Sequence, residues 1–95
     1  MQNRTEHMIK MEAARRDSLK SLHPLLSRID TDALAKLEAF YQQEVQNQLF
    51  LTPLDNKDEI IGDVARMKGA RAFVEFVGRS KIKAEQIVGE DEREL

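Results

Sequence analysis

Residues 56–78, NKDEIIGDVARMKGARAFVEFVG, decide how this chain is read. A helix turns roughly 100° per residue. Gly62, Ala65, Gly69, Ala72 and Phe76 then fall in one narrow band, flanked by Ile61 and Phe73, while Ile60, Val64, Met67 and Val74 fall on the other side. Asp63 and Arg66 separate the two faces along one border, Lys68 and Glu75 along the other. A helix apolar on two sides needs neighbours on two sides. In a chain of 95 residues, one of those neighbours can be another molecule.

The band of small residues is the sharpest feature. Glycine inside a helix costs ~1 kcal/mol relative to alanine, so Gly62 and Gly69 call for a reason. Close approach of a second helix supplies one. That helix is either another segment of this chain or one of an identical chain, and the sequence leaves both readings open. Arg71 lies in the middle of the Ile60/Val64/Met67/Val74 face. A buried guanidinium requires a carboxylate or several carbonyls, so either an acid on another helix meets it or the face is open there to a partner.

Asn56, with Glu59 three places on, has capping-box spacing and opens this helix. Gly78 suits a C-terminal stop, and Ser80 a cap for a short last helix, KIKAEQIV. Upstream, Thr52-Pro53-Leu54-Asp55 breaks the chain, because the residue before proline disfavours helix. A preceding helix runs back to Asp30-Thr31-Asp32, whose side chains place N-cap oxygens and negative charge at its start. Its apolar face reads Leu34, Leu37, Tyr41, Val45 and Leu49, and Gln42, Gln43, Gln46 and Asn47 read as its solvated side.

A first helix spans residues 4–22, with a stripe of Met8, Met11, Leu19 and Leu22 that Arg4 and Arg15 interrupt. An interior proline costs ~3 kcal/mol, so a break or kink is expected at His23-Pro24; a helix surviving it extends the stripe to Leu26 and Ile29. In heptad register one core position reads Met1, Met8, Arg15, Leu22 and the other Arg4, Met11, Ser18, Leu25. Polar residues in such a seam can fix register and partner number, which makes Arg15, like Arg71, a candidate specificity point. An ordinary amphipathic helix with snorkelling arginines is the alternative.

Charged residues make up 34% of the chain and hydrophobic ones 41%, against roughly 25% charged in typical globular domains. The core is therefore modest and much of the surface is charged helix. Fifteen Lys and Arg oppose seventeen Asp and Glu, which gives no global attraction to nucleic acid or anionic membrane. No apolar run approaches the ~20 residues of a membrane span, and the first residues lack the apolar core of a signal peptide. The absence of cysteine excludes a disulfide scaffold, a thiolate zinc site and a cysteine nucleophile, and is compatible with the cytoplasm. His7 and His23 sit in no metal-ligand spacing. No serine has a nucleophile context, and the glycines at 62, 69 and 78 form no phosphate loop. No catalytic residue, cofactor or metal is expected.

Arg66, Lys68, Arg79, Lys81 and Lys83 form a basic cluster around Arg71, able in principle to contact phosphates. Asp58, Glu59, Asp63, Glu75 and Glu85 are mixed in, and Phe73 and Phe76 sit on apolar faces, so a salt-bridged solvated face is the competing reading. The acidic tail EDEREL could fold onto that cluster or occupy it in a neighbouring subunit.

The chain resembles small helical accessory proteins of tailed bacteriophages, such as minor virion or morphogenesis factors. The resemblance rests on size, all-helical character, lack of cysteine and the glycine-interrupted segment DNKDEIIGDVARMKGARAFVEFV of residues 55–77. It carries no site residues. It implies repeated self-assembly or docking on a larger complex, in a virion or a host cytoplasm.

The expected fold is all-α: helices at about 4–22, 31–51 and 57–77 and a short fourth at 80–88, in one elongated bundle over residues 1–89, with a disordered acidic tail at 90–95. The expected function is non-catalytic. It is that of a helical structural or interaction subunit, a homo-oligomer or part of a larger assembly, using Gly62, Ala65, Gly69, Ala72 and Phe76 as a close-contact strip. A nucleic-acid-associated regulator using the Arg66–Lys83 cluster is the second reading, and an inhibitor or adaptor of a host protein the third.

Overall fold

A computed structural model describes the backbone of residues 2–94 and the side chains of residues 4–93. Three helices follow in order: α1 (Gln2–Leu26), α2 (Thr31–Leu51) and α3 (Lys57–Glu94). Among the described residues there is no strand. Met1 and Leu95, which fall in the expected heptad and tail, lie outside the described residues.

Local chemistry sets the helix starts. The Asp30 carboxylate oxygen Oδ1 accepts from the backbone N–H of Asp32 at 3.0 Å and of Ala33 at 3.1 Å, satisfying donors that the first turn of α2 leaves unpaired. Thr52, extended at φ −79° and ψ 130°, closes α2, and its hydroxyl donates to the Gln48 carbonyl at 3.0 Å. At the start of α3 the Asn56 Oδ1 accepts from Glu59 N at 3.4 Å, and Asn56 Nδ2 donates to Glu59 Oε2 at 2.7 Å. The reciprocal half of this capping box thus runs between the two side chains rather than back to the Asn56 backbone.

Two expected breaks are absent. α1 passes through Pro24 to Leu26, because Leu19 and Leu26, two turns apart, are buried in the same cluster and hold the helix across the proline. α3 passes through Gly78 and Gly89 without a positive φ. Its inward positions explain the continuity: Ile60, Asp63, Met67, Ala70, Val74, Val77, Lys81, Ala84, Val88 and Asp91 are all buried or half-buried, at spacings that alternate three and four. That is the period of a helix packed lengthwise against a neighbour. The separate helix at 80–88 is therefore the continuation of α3. Residues 90–94, expected to be disordered, are its last turn.

The chain divides into two compact units. In the first, α1 packs against α3 from Arg79 onward; Leu19, Leu26, Ala84 and Ile87 form its core and Ile29 packs against them. Arg16 meets Asp91 whereas Ile29 meets Lys81, so the helices run antiparallel. The second unit, Asp30–Gly78, pairs α2 with the first part of α3. Glu38 meets Arg71 and Gln42, one turn on, meets Met67, one turn back, so this pair is antiparallel too. Of the expected α2 face, Leu34, Val45 and Leu49 point inward while Leu37 and Tyr41 are exposed; Glu38 and Gln42 take inward places instead.

Candidate functional site

The small-residue strip of α3 lies on the face that α2 does not cover. Ala65, Gly69 and Ala72 are exposed and Gly62 half-buried. Around them Ile61, Phe73 and Phe76 keep 65%, 61% and 53% of their surface in water. A Cβ added at Gly69 would meet nothing within 4 Å, and one at Gly62 only the tip of Arg66 at 3.8 Å. Among the described residues no close approach accounts for these glycines. Within the second unit, α2 packs on the other face of α3 and not on the strip.

The heptad face of α1 is likewise outward. Met8, Met11, Leu22 and Leu25 are exposed, as is Arg15, while Leu19 and Leu26 turn inward. Six hydrophobic side chains are buried among the described residues, and sixteen large ones are exposed. Isolated exposed hydrophobics are ordinary. Here the exposed ones recur along one side of α1 (Met8, Met11, Leu22, Leu25) and one side of α3 (Ile61, Phe73, Phe76).

Arg71 resolves toward the first of its two readings. Its Nε donates to Glu38 Oε1 at 2.6 Å and its Nη2 to Oε2 at 3.4 Å. This fork, with the attraction of the same carboxylate, raises the Arg71 pKa above its ordinary value. Asp63, at 2% exposure, is held by Arg66 Nη2 at 2.5 Å, and Gln42 Nε2 donates to the Met67 carbonyl at 2.8 Å. Buried polar groups require such partners. The Gln42 contact corrects the expectation that this residue sits on a plain solvated surface.

The basic cluster is divided by these contacts. Arg66 goes to Asp63, Arg71 to Glu38, and Lys81 Nζ to the Ile29 carbonyl at 2.9 Å. Lys68 is exposed beside Ala72 and Glu75 on the second unit. Arg79 and Lys83 line an open groove of about 640 Å³ between α1 and α3, together with Arg15 and Arg16. Glu90 and Asp91 of the last helical turn pair with α1. Arg16 Nη1 reaches Glu90 at 3.3 Å, Arg16 Nη2 reaches Asp91 at 3.1 Å, and Lys20 pairs with Asp91. Hydrogen bonding from Lys20 and then Arg16 holds the Asp91 carboxyl below its ordinary pKa, and the Asp91 bond raises that of Arg16.

Among the described residues no three His, Asp or Glu side chains are placed to hold a metal ion. None of the helices is long and apolar enough to cross a membrane. Comparison with protein-family models, curated proteins and solved structures finds no match to this chain.

Proposed function

We infer that the chain is a non-catalytic helical subunit that associates with copies of itself, or docks on a larger assembly, through the outward strip of α3. The observation that carries this reading is the exposure of Gly69 between Phe73 and Phe76 on the side of α3 away from α2, with Ala72 exposed at its border. Small residues let a second helix backbone come close. The phenylalanines and Ile61 supply apolar area whose burial is worth about 25 cal/mol per Å². Charged borders, Lys68 and Glu75 among them, would set orientation. A minor virion or morphogenesis factor of a tailed phage is a setting in which many copies of such a subunit would be used.

Native mass decides the matter. Light scattering at micromolar concentration should give a multiple of the 10.9 kDa chain mass, and a Phe73→Lys, Phe76→Lys variant should return to a single chain with its helix content intact. A monomer at high concentration that captures no larger complex through this face would overturn the reading.

A further inference from the structure

We propose that the groove between α1 and the last part of α3 is a docking site for an acidic amphipathic helix of a partner protein. Its floor is aliphatic: Leu19 and Ile87 are buried there, and Ile82 remains 59% exposed at its edge. Its rims are cationic on both sides, with Arg15 on α1 and Arg79 and Lys83 on α3. Among the described residues no acid pairs with any of these three, in contrast to Arg16, which Glu90 and Asp91 occupy. Glu12 is the one acid that lines the groove.

Three features select the occupant. The groove is an open trough between two antiparallel helices, the shape a third helix fills in a bundle. A free lipid chain would leave too much of itself in water there, since small-ligand sites cover most of their ligand. No aromatic side chain lines it, so nucleic-acid bases have no stacking platform. The partner helix would carry aliphatic residues at i, i+3, i+4 and i+7 that settle on Ile82, above the buried Leu19 and Ile87 of the floor. It would carry carboxylates on both flanks, facing Arg15 on one side and Arg79 and Lys83 on the other. Charge complementarity then fixes its placement and speeds encounter. This proposal is independent of self-association through the strip, because it uses different residues and holds for a single chain.

A fluorescent helical peptide with leucines on one face and glutamates on both flanks is the probe, read by anisotropy against the full chain. Binding should saturate at one peptide per chain and weaken as salt rises from about 50 to 500 mM. The double variant Arg79→Glu, Lys83→Glu should weaken it by about tenfold or more, while Lys36→Glu, on α2, should not. Both altered positions are exposed, and circular dichroism checks that helicity is kept. Equal binding of a scrambled peptide without the leucine stripe would show a mere polyanion site and overturn the proposal. So would equal binding of a lysine-flanked peptide, displacement of the probe by vesicles of phosphatidylglycerol, or no binding at all. Dependence of binding on Phe73 and Phe76 but not on Arg79 and Lys83 would assign the peptide to the strip instead, again against the groove.

Discussion

Arg71 of α3 forks onto Glu38 of α2, with Nε 2.6 Å from Oε1 and Nη2 3.4 Å from Oε2. Glu38 is nearly enclosed while the arginine side chain stays mostly in water. The asymmetry makes the carboxylate the costly partner. Arg71→Ala strips a buried charge of its counter-ion, which is the destabilising way to break such a pair. The melting temperature by circular dichroism should fall further for Arg71→Ala than for Glu38→Leu, and the double variant Glu38→Leu, Arg71→Leu should recover most of the loss. Equal losses in the two single variants would show that the ion pair contributes nothing beyond packing.

Gly69 has empty space where a side chain would stand, so the fold of one chain does not require glycine there. Gly69→Ala should stabilise α3 by up to ~1 kcal/mol through helix propensity alone. Gly69→Leu should keep helicity yet lower the native mass, because leucine would hold a second backbone away. A leucine variant with unchanged mass would remove the strip from any interface.

Ile87, 2% exposed, sits with Leu19, Leu26 and Ala84 in a core of very few side chains. Ile87→Ala should cost about 2–4 kcal/mol, a large share of the stability of so small a core. Hydrogen exchange should then speed up in α1 and in α3 beyond Arg79, while backbone amides of α2 near Val45 keep their protection. Uniform loss of protection throughout the chain would mean that the two units do not open separately.

The helix starts were legible because they are written in single residues: Asp30 and Asn56 cap, and Thr52-Pro53 stops. α2 begins and ends where those signals place it. Gly78 misled because a local stop signal competed with a longer-range one, the three-four spacing that carries Val77 on to Lys81 and Ala84. The two-faced character of α3 was also visible, but which face turns inward depends on what the neighbour offers. Glu38 on α2 turns inward and Arg71 reaches over it from the edge, and Asp63, read as a border, ends up buried with Arg66 beside it. In α1 the same ambiguity went the other way. Leu19 and Leu26 face Ala84 and Ile87, which leaves the methionine-rich heptad register outside. The Arg15–Arg79–Lys83 groove was not legible at all, since its rims lie far apart in the chain and only the antiparallel packing of α1 on α3 brings them together.

Asp91 gives the end of α3 a dependence on acidity. EDEREL read as a disordered tail because it is acidic and poor in apolar residues; Lys20 and Arg16 of α1 supply its Asp91 with partners. With its folded pKa below the ordinary carboxylate value, Asp91 binds a proton less readily in the folded chain than in the unfolded one. Its stabilising contribution is then complete above the ordinary value and disappears as pH falls toward the folded one. Thermal melts between about pH 2 and pH 6 should show this loss, and Asp91→Asn should be less stable at neutral pH with a shallower decline in acid. Raising the salt concentration should weaken the wild-type advantage at neutral pH, because the pairs with Lys20 and Arg16 are part-exposed and screened. If Asp91→Asn kept the full acid slope of the wild type, the pairing of Asp91 with α1 would not be what fixes this turn.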